Sequence, residues 1–291
     1  MMTLPSKPVR AQAGASSSAQ AVAAAGQSAA MSRLQSAPSA PLLLSASHLS
    51  RRFGGLLAVD DVSLALRVGE IHAVIGTNGA GKSTLINMLS GEIAPSTGTI
   101  SFDGVDIAGW SQPRRARAGI GRSYQRTTIF PSFTVLENCR LAAQAAQPKP
   151  WGIWQPARIC SHAVPRAEAA LAAAGLSAVA TTLAGSLSHG QQRQLEIGMC
   201  LATGPRVLLL DEPLAGMGAE ESERMLALLE ALKATHAVLL VEHDMEAVFR
   251  VADRITVMVN GRVIASDTPT VIRTDPAVQL AYLGEGADPA C

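Results

Sequence analysis

The chain has 291 residues, with 24 Lys and Arg against 23 Asp and Glu for a formal net charge of +1, and only 16% of its residues are charged. So neutral a surface argues against nucleic acid as the main partner, because duplex binding leans on a basic face that neutralises phosphates. No apolar run approaches the roughly 20 residues that a bilayer span needs. Cys139, Cys160, Cys200 and Cys291 are scattered without disulfide or metal spacing, which fits a reducing cytosol.

Residues 1–40 are mostly Ala, Ser, Gln and Pro, and no acid occurs before Asp60. Their composition is that of an organellar transit peptide; the plainer readings are a disordered tail, or a start codon placed ahead of a true beginning at Met31. From Pro41 the pattern alternates. Leu42 to Phe53 and Val62 to Leu66 read as strands, Glu70 to Ile75 as a short apolar strand ending in glycine, and Lys82 to Leu89 as a helix stopped by Gly91. Thr99 to Phe102 and Gly121 to Tyr124 are further short strands. Between Gln125 and Gly190 the pattern turns to Ala-rich helices around a Pro/Trp-rich loop at Pro148 to Pro156. Strands then return at Val207 to Leu210, Ala237 to Val241 and Ile255 to Val259, with helices starting at Glu220 and Asp244. Met225, Leu228, Leu229 and Leu232 share one helical face. Asn260-Gly261 marks a tight hairpin, and Thr268-Pro269 and Asp275-Pro276 each set a capping side chain before a first-turn proline. Alternating strands and helices imply a largely parallel sheet with helices on both faces and an all-helical insertion.

Three stretches carry chemistry. Gly76-Thr77-Asn78-Gly79-Ala80-Gly81-Lys82-Ser83, with Thr84 behind it, follows an apolar strand and opens a helix. Its glycines let backbone N–H groups converge on phosphate oxygens, Lys82 reaches the β- and γ-phosphates, and Ser83 ligates Mg²⁺. The strand Val207 to Leu210 ends in Asp211 and Glu212, at the carboxyl edge where ligands of such sheets sit. Asp211 suits Mg²⁺ and Glu212 suits the general base that polarises water attacking the γ-phosphate. Leu187-Ser188-His189-Gly190-Gln191-Gln192 opens a third helix, with Ser188 as its N-cap and Leu195, Met199 and Ala202 on one stripe.

Together these stretches resemble the nucleotide-binding subunits of ABC transporters, whose signature usually reads Leu-Ser-Gly-Gly-Gln. The resemblance runs from Phe53 to about Leu283 and implies an α/β fold: a P-loop NTPase of the ABC type, mostly parallel sheet, with an antiparallel β subdomain and a helical subdomain inserted at about 126–200. The cassette is expected over 41–285, with 1–40 and 286–291 as tails. The resemblance places Phe53 against adenine, Gln125 on Mg²⁺ and the attacking water, His243 on the γ-phosphate, and Ser188, Gly190 and Gln191 on nucleotide held by a second subunit. Arg52 to Val59, Gly190 to Ile197, Val241 to Met245 and Ala281 to Glu285 look most like the subunits for branched-chain amino acid uptake. ATP and Mg²⁺ are thereby implied. So are a second ATP-binding subunit, two multi-span permeases, a solute-binding protein, no nucleic acid, and a peripheral position on the cytoplasmic face of the inner membrane. Urea, short-amide or lipid-export ATPases share this build; a soluble ABC-type ATPase needs a long coiled coil or two cassettes in one chain, and neither is present.

The sequence departs from the family pattern at three places. Thr77 replaces a usual proline, mildly, since a backbone cradle does not use that side chain. His189 replaces a signature glycine, where its charge helps or its bulk hinders. Gly218 stands where an aspartate commonly ties the two nucleotide sites together, so its loss bears on communication between them.

Overall fold

The computed structural model describes residues 41–124, 128–146 and 162–283. In chain order the elements are β1 (Leu42–Phe53), β2 (Leu56–Arg67), β3 (Ile71–Gly76), α1 (Lys82–Ser90), β4 (Thr97–Phe102), β5 (Val105–Asp106), α2 (Gln112–Ala118) and β6 (Ile120–Arg122). They continue with α3 (Val135–Ala145), α4 (Ala163–Ala173), α5 (His189–Ala202), β7 (Val207–Asp211), α6 (Ala219–Lys233), β8 (Ala237–Val241), α7 (Met245–Val251), β9 (Arg254–Val259), β10 (Arg262–Asp267), α8 (Pro269–Thr274) and α9 (Pro276–Leu283). Gln125 and the Pro148 to Pro156 loop lie outside the described residues.

Two sheets form. A six-stranded sheet runs β10-β9-β3-β8-β7-β6, parallel throughout except for the β9-β10 hairpin at its edge. Its central strands are buried at every position because both faces are covered, and β8 is apolar throughout. On β7, Val207 and Leu209 face one core while Leu208 and Leu210 face the other; on β8, Leu239 and Leu240 divide in the same way. The first core also takes Leu85, Ile86 and Leu89 of α1 and the inner face of a four-stranded antiparallel sheet, β2-β1-β4-β5. The second takes the α6 stripe Met225, Leu228, Leu229 and Leu232, joined by Leu226. A third core is helical and mostly alanine: Ala143 of α3, Ala163, Ala167 and Ala170 of α4, and Leu195 and Ala202 of α5. Small side chains let those three helices approach closely.

Most expected elements appear within a few residues of their predicted ends. The segment expected at Val62 to Leu66 is a full twelve-residue strand, because β2 pairs with β1 along its whole length through several bulges, with His48 and Asp61 at positive φ. The bulges break strict alternation and so hide the strand from a period-2 reading. The short strand expected to reach Tyr124 stops at Arg122. Asn260 (φ 48°) and Gly261 (φ 81°) make the expected tight hairpin. Asp275 accepts from the Ala277 and Val278 N–H groups as expected, but Thr268 makes no side-chain cap, so Pro269 alone marks that helix start. Buried Arg115 (1% exposed) donates to the Met88 and Leu89 carbonyls, placing a cation on the C-terminal end of α1.

Candidate nucleotide site

The phosphate loop connects β3 to α1. A Cβ on Gly76 would lie 2.2 Å from the Met258 carbonyl oxygen, and one on Gly81 (φ 97°) would lie 2.4 Å from that of Ala58. Both positions exclude any side chain, because neighbouring backbone fills the space a Cβ would occupy. Gly81 opens α1 without a side-chain cap, so the first-turn N–H groups of Lys82, Ser83 and Thr84 face the loop rather than a capping oxygen. Lys82 is buried, and its Nζ donates to the carbonyls of Gly76 (2.6 Å) and Thr77 (3.0 Å), which draws the ammonium over the loop. Ala80 is buried beneath it; Asn78 and Ser83 are exposed.

β3, β8 and β7 are adjacent and parallel, with Val74 level with Val241 and Val241 level with Asp211. Their carboxyl ends therefore set the phosphate loop, His243 and the Asp211-Glu212 turn side by side. Asp211 is buried, and its N–H donates to Ser123 Oγ. Burial pushes its carboxyl above the ordinary value; Arg122, 3.6 Å away, and Lys82 draw it down, while Glu212 adds to the rise. Glu212 adopts φ 48° and donates its N–H to the Val241 carbonyl at 2.9 Å. A left-handed glutamate at the end of a central strand is strained by roughly 1–2 kcal/mol, a feature that concentrates at active sites. His243 is exposed, with Nδ1 3.8 Å from Glu212 Oε1 and 3.8 Å from Glu242 Oε2.

Glu242 braces this turn. Fully buried, it accepts from the Leu214 N–H on Oε1 (2.9 Å) and from the His243 N–H on Oε2 (3.2 Å). Burial raises its carboxyl while those N–H groups lower it. On the page of the sequence it is merely an acid after a strand, so its role carries no local signal. The described residues on either side of Gln125 are held by a buried ion pair of α5: Arg193 donates to the Tyr124 carbonyl and to Glu196, which accepts from the Thr128 N–H. Phe53 is 43% exposed, under the Arg51 guanidinium at 4.6 Å, and so is not a core residue. Its ring stands at the open end of β1.

Ser188, Gly190 and Gln191 gather at the head of α5. Ser188 and Gln191 form a reciprocal capping box. Ser188 Oγ also donates to Glu221 Oε1 (2.7 Å), and the Gly190 N–H donates to the same oxygen (3.2 Å). His189 turns away, its Nε2 3.1 Å from the Ala215 carbonyl. Gly218 caps α6 through backbone alone.

Residues 59–215 match the family model described as ABC transporter, and residues 262–288 match that of the branched-chain amino acid ATP-binding cassette transporter. The chain belongs to the ABC transporter family. Among relatives, the high-affinity branched-chain amino acid transport ATP-binding protein LivG of Salmonella typhimurium is 42% identical over 252 residues, covering 84% of this chain and 98% of LivG. BraF of Pseudomonas aeruginosa, which carries the same description, is 40% identical over 250 residues. Among solved structures, a nucleotide-free ATP-binding cassette from an ABC transporter superposes with a TM-score of 0.75 at 30% identity, covering 83% of this chain and 99% of its own. The ADP conformation of the cassette MJ1267 superposes equally well. This cassette thus has the fold of the ATP-binding subunits that power ABC transport. No described helix is long and apolar enough to cross a membrane.

Proposed function

We propose that this cassette hydrolyses ATP to drive a branched-chain amino acid importer, working as a pair with a second cassette. The observation that carries the reading is the meeting of the phosphate loop, the Asp211-Glu212 turn and His243 at the ends of three adjacent parallel strands. The match over 262–288 and the LivG and BraF relatives support the cargo.

In this reading the Gly76 to Thr84 N–H groups and the Lys82 ammonium hold the β- and γ-phosphates, with adenine on Phe53. Ser83 Oγ, the Asp211 carboxylate and Gln125 are hard oxygen donors of the kind Mg²⁺ takes alongside phosphate oxygens and water, and they would hold it. When bound, the ion would neutralise charge on the phosphates. Glu212 accepts a proton from the attacking water, and His243 Nε2 donates toward the γ-phosphate. Ser188 Oγ and the Gly190 N–H of the second cassette close the far side of that phosphate, so ATP joins the pair and its cleavage releases it. The helical subdomain, about 126–200 within a cassette of 41–285, docks on permease subunits fed by a solute-binding protein. The cassette rests peripherally on the cytoplasmic face.

Replacing Lys82 with Ala removes the cation and is expected to abolish binding of labelled ATP to the purified chain. An unchanged titration would remove the phosphate-loop assignment.

A further inference from the structure

Glu221 stands where the proposed pairing needs open space. It is the third residue of α6, and its carboxylate draws a hydrogen bond from the Gly218 N–H at the start of that helix, the reach-back of half a capping box. The same carboxylate extends to the head of α5, where one oxygen accepts from both Ser188 Oγ (2.7 Å) and the Gly190 N–H (3.2 Å). Gly190 permits this approach: a Cβ there would lie 2.6 Å from Glu221 Cδ. The two donors it engages are those assigned above to the γ-phosphate held by the opposing cassette. A carboxylate oxygen and a phosphate oxygen are both anionic acceptors, and one hydroxyl hydrogen and one amide hydrogen cannot serve both at full strength. Two anions brought to the same helix head also repel.

We propose that Glu221 is a built-in anion that occupies the signature face of the unpaired cassette, and that the ATP of the opposing cassette must displace it for the pair to close. The inference rests on the paired-cassette reading. Glu221 is only partly covered, so its side chain can swing to solvent while α6 stays in place. The contact therefore opposes pairing without blocking it, and keeps cassettes apart until two ATP-loaded faces meet. Gly218 brings no side chain to the start of α6, and Glu221 hydrogen-bonds that helix to the signature.

The test is the ATP-dependent dimerisation of the full chain carrying Glu212→Gln, which holds ATP uncleaved, measured by sedimentation equilibrium with MgATP. Adding Glu221→Gln keeps the side-chain length and an oxygen for the Gly218 N–H while removing the negative charge; Glu221→Ala removes the contact outright. Each is expected to tighten the dimer roughly three- to tenfold, the scale of a solvent-exposed charged hydrogen bond, with monomer affinity for labelled ATP unchanged. A purely structural role for Glu221 would instead weaken the dimer, so the sign of the change separates the two. An unchanged or weakened dimer in both variants overturns the proposal. A Glu212→Gln parent that stays monomeric at every ATP concentration contradicts the paired reading itself.

Discussion

At the residue scale, the site is built from positions where the backbone leaves no choice. Gly81 combines a left-handed φ with the Ala58 carbonyl 2.4 Å from any Cβ, so neither strain nor crowding can be relieved without moving β2 away from the phosphate loop. Gly81→Ala is expected to lower unfolding free energy by about 2–4 kcal/mol in urea and to weaken ATP binding in proportion to the loop's displacement. A variant with parental stability and affinity would mean the β2 contact is slack. Glu212 shows the converse: a residue for which φ 48° is costly is kept there, and Glu242 holds the next turn in place through the Leu214 N–H. Phosphate-loop residues were legible in the sequence because the chemistry is written in contiguous backbone, glycine by glycine. Glu221 and Glu242 were not, because their partners Ser188 and Leu214 lie 33 and 28 residues away and only the fold brings them together.

At the element scale, the parallel strands read cleanly as unbroken apolar runs, and the α6 stripe follows from its spacing. What escaped was the extent of β2, where Asp60 and Asp61 interrupt the pattern and bulges carry the pairing past them. β3 also carries an unusual residue for a buried strand. His72 lies between the Thr256 hydroxyl of β9 (2.7 Å) and the Ala65 carbonyl of β2 (3.1 Å), and burial lowers its pKa to about 4. Because the folded value is below the unfolded one, the unfolded chain binds the proton first as pH falls. The stability is whole above about pH 6.5 and drains between there and pH 4. At pH 5 the loss from this one group is about 2 kcal/mol. Urea unfolding of the parent should therefore fall more steeply from pH 7 to pH 5 than that of His72→Gln; parallel slopes would show that His72 is protonated inside the fold.

At the scale of the whole molecule, two half-sites lie on different elements in the proposed reading. One is the phosphate loop with Asp211, Glu212 and His243 on the parallel sheet. The other is the Ser188 to Gln191 head of α5. The Arg193–Glu196 pair links that same helix to Tyr124 and Thr128, the described residues on either side of Gln125. α5 therefore carries both the Ser188 to Gln191 segment and the side chains that hold Tyr124 and Thr128 on either side of Gln125. The architecture was readable from the alternation of strands and helices and from the family likeness of its motifs. The linkage between α5, α6 and the Gln125 flanks was not, since it rests on long-range side-chain contacts that leave no period in the sequence.

The sharpest test falls on Glu212. With the purified cassette assembled on its permease subunits and saturated with MgATP, the hydrolysis rate of Glu212→Gln should drop at least about a hundredfold, while labelled ATP binds as tightly as to the parent. A variant that turns over near the parental rate would show that another group takes the proton from water, and that the strained turn at the end of β7 serves some other purpose.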